Sequence, residues 1–258
     1  MSYVSRLAPG GAESAAAAWS DLVEELDSWR DCGRTAELWW RDDDAVEPTA
    51  ALDRLLSLVP DIPIAIAVIP ARARSELAAC LTAFPSVTIW QHGWAHTDHA
   101  VRGKKSEYPA ARRWSAIAAE LTAGRDRLAE LFGARFAPVL VPPWNRFAAE
   151  LLPLLKNLGF IGLSGMAPTA PRPLPCGVAA LDAHVDLVAW RAGGGFIGQV
   201  AALSAIVGEL RARRAQNSAE PVGILTHHLV VDEPGAAFLA QLCPTVRDHA
   251  AARWILPA

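Results

Sequence analysis

The chain has 258 residues, 52% of them hydrophobic and 20% charged, with a formal net charge of -3. That balance predicts a folded protein, excludes intrinsic disorder and offers no basic face to nucleic acid. Cys32, Cys80, Cys176 and Cys243 form no C-x-x-C pair, which argues against a disulfide framework or a thiolate zinc site.

In chain order, a helix is predicted over residues 13–30 and a strand over 37–41. Pro48 then opens a helix to Leu58, because proline suits a first helical turn. Residues 63–69 are a near-continuous apolar run, as a strand buried on both faces should be. A short helix near 75–83, a strand at 87–91 and a polar loop over 97–109 follow. The longest helix, 111–132, is closed by Gly133. Strand 138–141, helix 147–158 and strand 160–163 lead to a proline-rich connector, 168–175. Beyond it lie strands at 185–190, 222–226 and 253–256 and helices near 201–214 and 236–242. Seven or so strand-then-helix units imply a parallel sheet flanked by helices, either closed as a (β/α) barrel or open and doubly wound. The connector does not divide the chain, so residues 1–258 are expected to form a single domain. Met1 to Ala18 lack an apolar signal region and nothing reaches the ~20 apolar residues of a membrane helix, so a cytoplasmic protein without a membrane span is expected.

The chemistry-bearing residues follow strands. Asp42, Asp43 and Asp44 come after the first strand, His92 and His96 after the third, Pro142, Pro143 and Trp144 after the fourth, and His227 and His228 after the last full one. Parallel α/β folds gather the C-terminal ends of their strands at one mouth, where active sites sit. A spacing of four places His92 and His96 on one side of a helical turn, suited to two ligands of a tetrahedral metal, although such pairs are commonly surface or capping residues. Three adjacent carboxylates at the end of a buried strand are costly without a cation or an arginine, and a helix N-cap needs only one. His99 is expected to be exposed, and His227 and His228 alone read equally well as satisfied core residues.

Together these segments resemble the polysaccharide deacetylases of carbohydrate esterase family four, in particular divergent, non-secreted members in which Pro-Pro-Trp-Asn and Leu-Thr-His-His recur. The resemblance spans residues 37–232 in the right order. It implies a distorted seven-stranded (β/α) barrel, with Asp43 as general base and Asp44, His92 and His96 as metal ligands. It further implies that the Trp144 amide helps hold an oxyanion, that His227 is the general acid, and that Asp186 with Trp190 supports His227. The family's third motif carries an arginine where Val141 stands here. Arg41 lies two residues before Asp43, on the same face of an extended strand, and is the expected replacement, ahead of Arg146 and Arg191.

The implied activity is metal-dependent removal of an acetyl group from an acetylated amino sugar, a related saccharide or another small amide. One divalent metal is expected: zinc by ligand type, with cobalt, manganese or iron also suited to two histidines and a carboxylate. Of Trp39, Trp40, Trp90, Trp94, Trp144 and Trp190, most are expected in the core or at the barrel rim. Trp94 and Trp190, with Pro143, are the candidates for substrate contact. Three rivals stand beside this reading. One is a metal-independent glycosidase using two carboxylates among Asp42 to Asp44, Asp186 and Glu107. Another is a non-catalytic relative that binds metal and sugar. The third makes the histidines core residues. Oligomeric state and the roles of His184, His228 and Glu107 are not readable from the chain.

Overall fold

The computed structural model describes residues 9–167 and 174–257. Most of the proline-rich connector, 168–175, lies outside the described residues. The first half comprises α1 (Pro9–Asp31), β1 (Ala36–Ala45), α2 (Ala50–Leu58), β2 (Ile64–Val68), α3 (Ser75–Leu81), β3 (Val87–His92), α4 (Trp114–Phe132) and β4 (Phe136–Val141). The second half comprises α5 (Leu152–Asn157), β5 (Gly162–Leu163), β6 (Ala179–Ala180), β7 (Val185–Asp186), α6 (Gln199–Ala215), β8 (Val222–Thr226), α7 (Glu233–Arg247) and β9 (Ala252–Trp254). None of the described helices is long and apolar enough to cross a membrane.

The strands pair in parallel in the order β6-β5-β4-β3-β2-β1-β8-β7, with β9 beside the first residues of β1. The two ends of that order are consecutive in the chain. Ala179, Leu181 and Ala183 donate amide hydrogen bonds to Ile161, Leu163 and Gly165, while His184 and Leu187 donate to Gly223 and Leu225. A single extended stretch therefore joins both edges and curls the sheet into an α/β barrel. The sheet holds nine strands rather than the expected seven. One stave is split into β6 and β7 where it changes partner, and β9 is added outside the path.

Side chains alternate across the sheet. Trp39 of β1 packs with Ala65, Ala67, Trp90, Val139 and Val141 in one cluster, whereas Leu38 and Trp40 join the larger cluster beneath the helices. Gly223 of β8 makes room for Trp39, since a Cβ there would come within 2.5 Å of the indole. Burying indoles of this size is a main source of barrel stability, each worth roughly 1.5–3 kcal/mol or more by area.

Three local expectations are corrected. Thr49, not Pro48, begins α2: its Oγ1 accepts the Leu52 amide at 3.1 Å as an N-cap. The helix expected over 147–158 is a 3-10 turn at Ala149–Leu151 followed by α5, which starts at Leu152 with Pro153 in its first turn. The strand expected over 185–190 ends at Asp186, and Trp190 begins a 3-10 turn that closes on Gly193 at φ 93°.

Candidate active site and metal centre

The first strand was expected to end at Arg41. Instead β1 runs through all three aspartates to Ala45. Alternation sends Arg41 and Asp43 to the Trp39 side and Asp42 to the helix side. Asp44 breaks the alternation, with φ 75° and a register shift against β2 between Asp42 and Ala45. Aspartate is one of the few residues that accept this left-handed backbone. The reversal turns Asp44 toward the histidines, its Oδ1 lying 3.1 Å from His92 Nε2 and 3.4 Å from His96 Nε2.

His92 is the last residue of β3 and His96 lies in the loop beyond, so the helical turn expected to align them is not formed. Left-handed backbone at Gly93 (φ 58°) and His96 (φ 57°) folds the loop back, bringing the ring centroids to 5.1 Å. His92 Nδ1 bonds the Val141 carbonyl at 3.0 Å, which orients the ring and leaves Nε2 facing Asp44. Asp44, His92 and His96 each offer one ligand atom, all within 4.8 Å of one another, a group that can hold a metal ion. Two imidazole nitrogens and a carboxylate oxygen suit a divalent transition metal. His99 is exposed and outside the group.

Charge in this cluster is tightly balanced. Burial alone would raise the Asp44 carboxyl, but the hydrogen bond and charge of His92, with His227 and His96 behind, hold it well below the usual range. Burial works to depress His92, yet Asp43 and Asp44 outweigh it and raise its pKa. Burial and the neighbouring His92 lower that of His96.

Arg41 is fully buried. Its Nη2 donates to Asp43 Oδ2 at 3.1 Å and to Asn145 Oδ1 at 2.8 Å, and its Nη1 donates to Ser164 Oγ at 2.7 Å. Nε stands 2.8 Å from Asp43 Oδ1, a two-point ion pair in which this second contact is close but poorly aligned. Val141 is buried, Arg146 bonds the Lys105 carbonyl and Arg191 is exposed. Arg41 is thus the guanidinium on Asp43. Its support from Asn145 and Ser164 was not anticipated, although a lone serine ending the apolar β5 run was a usable signal.

His227, after β8, places Nε2 3.9 Å from Asp43 Oδ2. Asp186, expected with Trp190 to support His227, makes no hydrogen bond to it. Asp186 Oδ2 accepts the Trp190 indole N–H at 2.8 Å and Oδ1 accepts the Val188 amide at 3.0 Å, while His227 Nδ1 is buried without a partner. Trp190 mediates instead, its ring edge-on to His227 with centroids 4.9 Å apart. Burial raises the pKa of Asp186. Trp144, at φ 56°, sets its ring against His96 with centroids 4.4 Å apart. Pro143 is buried beside Gly93. Trp94 is tied in through its backbone, its carbonyl accepting the Ala71 amide at 2.9 Å and its amide donating to Glu107 at 3.1 Å.

Two further carboxylates lie buried around the site. On the helix side, Asp42 accepts from His228 Nδ1 and from Thr226 Oγ1, each at 2.6 Å. Glu107, one of the carboxylates offered to the glycosidase reading, is fully buried and bonded to backbone amides, so it is not presented to a substrate.

Comparison with solved structures identifies the fold. A CE4 esterase from Streptococcus mutans aligns at 15% identity and a TM-score of 0.55, over 90% of this chain and 89% of that one. A family 4 acetyl xylan esterase from Clostridium thermocellum, in complex with a cobalt ion, aligns at 15% identity and 0.54, over 85% and 87%. The peptidoglycan deacetylase PdaC from Bacillus subtilis aligns at 12% and 0.51, over 86% and 87%. Identities this low establish a shared fold. No family model and no curated protein sequence matches the chain.

Proposed function

We propose that this chain is a divergent family 4 carbohydrate esterase, one barrel domain that removes an acetyl group from an acetylated amino sugar or related saccharide with a divalent metal, zinc by preference. The observation that carries the reading is the convergence of Asp43, bound by Arg41, with Asp44, His92, His96 and His227 at the C-terminal mouth of a barrel shared with such enzymes.

Asp44, His92 and His96 would hold the cation, which when bound would supply Lewis acidity toward a water and an acyl carbonyl. Arg41 neutralises and aims the Asp43 carboxylate, which takes a proton from the attacking water as the new C–O bond forms. The Trp144 amide donates to the developing oxyanion. His227 delivers a proton to the leaving nitrogen or oxygen as its bond to the acyl carbon breaks. Asp186 fixes the Trp190 indole, which packs against the His227 ring. The half-exposed Trp190 also offers an aromatic face to a sugar ring.

The test is acetate release from a panel of acetylated amino sugars and acetylated saccharides by metal-loaded protein. Metal-dependent release supports the proposal. Binding of metal and sugar without release would establish the non-catalytic reading in its place.

A further inference from the structure

The loop that carries His96 has no regular secondary structure, yet it holds two left-handed residues, Gly93 at φ 58° and His96 at φ 57°. Such a conformation persists only when its surroundings over-determine it. The start of the loop is held by the Gly93 amide on the Val141 carbonyl at 3.0 Å, by Gln91 Nε2 on the Gly93 carbonyl at 3.0 Å and by the Ala71 amide on the Trp94 carbonyl at 2.9 Å. Beyond these, the constraint comes from one side chain. Glu107 is fully buried, and its Oε2 accepts the Trp94 amide at 3.1 Å while its Oε1 accepts those of Ala95 at 2.8 Å and Thr97 at 3.4 Å. Gly93 leaves the space the carboxylate fills: a Cβ there would come within 2.0 Å of Glu107 Oε2.

The segment bearing Glu107 is itself anchored. The Ser106 carbonyl accepts the His99 amide at 2.9 Å and the Tyr108 carbonyl accepts the Ala148 amide at 3.1 Å. Arg112 Nη1 donates to the Glu107 carbonyl at 3.3 Å. A buried carboxylate is costly without compensation, and here the compensation is a nest of backbone N–H groups from the loop it grips.

We infer that Glu107 is a positioning residue: its carboxylate clamps the backbone of residues 94–97 and thereby sets the place of the His96 imidazole in the metal centre. The consequence for metal rests on the proposed metal site; the clamp does not. Glutamine at 107 keeps the size but turns an NH2 group toward at least one of the amide donors, so the clamp opens on one side.

The experiment compares wild type with Glu107→Gln, and with Gly93→Ala, which attacks the same contact from the loop. In metal-free wild type the Trp94, Ala95 and Thr97 amides are expected to exchange slowly with solvent deuterium; fast exchange there overturns the inference without any variant. In Glu107→Gln they should exchange about tenfold faster or more, while β3 stays protected. Cobalt added as the probe should bind about 10–100-fold more weakly, with an altered visible spectrum, as for other residues that orient metal ligands. Wild-type cobalt affinity and spectrum in Glu107→Gln would overturn the positioning role. Wild type that binds no cobalt, with the amides responding as expected, would sink the metal reading and leave the clamp standing.

Discussion

Asp42 and His228 form a buried carboxylate–imidazole pair, Nδ1 to Oδ1 at 2.6 Å, directly behind the strand that presents Asp43. Thr226 bonds the other Asp42 oxygen at 2.6 Å and in turn accepts the Trp40 indole N–H at 2.8 Å. The network ties β1 to the turn that carries His227.

This pair gives stability a pH dependence. Burial alone would depress His228, but the charge and hydrogen bond of Asp42 raise its pKa above the ordinary value of 6.5. The folded protein thus holds the proton more tightly than the unfolded chain. The contribution is fully present below about pH 6.5 and declines as pH rises through the folded value. The stability gap between wild type and His228→Asn, measured by denaturant unfolding, should be widest near pH 5–6 and narrow toward pH 9. A gap that widens with pH would contradict the assignment.

Metal content should be about one divalent ion per chain after chelation and reloading. His92→Ala and His96→Ala should each lose it, and His99→Ala should retain it. Because the pKa of His92 is raised, affinity should weaken as pH falls and protons compete for the imidazole. Full retention in His92→Ala/His96→Ala would remove the site from consideration.

Asp43→Asn should keep the metal and lose about 10²–10⁴-fold in turnover, the usual contribution of a general base. Asp44→Asn should lose metal first. The reverse pattern, measured by metal analysis and acetate release, would mean that the two aspartates have exchanged roles.

Arg41→Met leaves a buried carboxylate without its cation. Removing one partner of such a pair costs about 3–5 kcal/mol, so a large drop in unfolding free energy should accompany loss of turnover. Lysine restores the charge but not the planar fork that also reaches Asn145 and Ser164, and should rescue only in part. Wild-type stability in Arg41→Met would show that the ion pair is dispensable.

Trp190→Phe keeps a ring beside His227 but deletes the N–H bonded to Asp186. Turnover should fall about fivefold to tenfold with little change in stability, since Trp190 is 52% exposed. Unchanged turnover would separate Asp186 from the chemistry.

Strand-helix alternation and the gathering of the aspartates with His92 and His96 at one mouth follow from apolar periodicity and from what stands at strand ends. The closed barrel, and Asp44 as the third member of the group, followed from the family resemblance. Arg41 could be placed because a period of two fixes its face relative to Asp43. What the chain did not disclose depends on backbone reversals. No pattern marks Asp44 as left-handed, and without that reversal the alternating strand would send Asp44 away from Asp43. The spacing of His92 and His96 suggested a helix, whereas Gly93 and His96 achieve the same convergence with a folded loop. Glu107 was visible as a residue but not as a clamp, because its partners are main-chain amides, which leave no trace in side-chain identity. Asp186 and Trp190 were both placed beside His227, but nothing in the chain shows that the indole rather than the imidazole takes the carboxylate.

Asp43 and Asp44 share a single peptide unit, so their Cα atoms are about 3.8 Å apart whatever the barrel does. Both imidazoles belong to the far side of β2, on β3 and its loop. Any opening between β1 and β3 would therefore leave the two carboxylates in step and move the imidazoles away from them. An ion bound by Asp44, His92 and His96 should then be lost under mild denaturant while the acid pair is still in register, which would make ion occupancy a sensitive gauge of how tightly the ring is drawn.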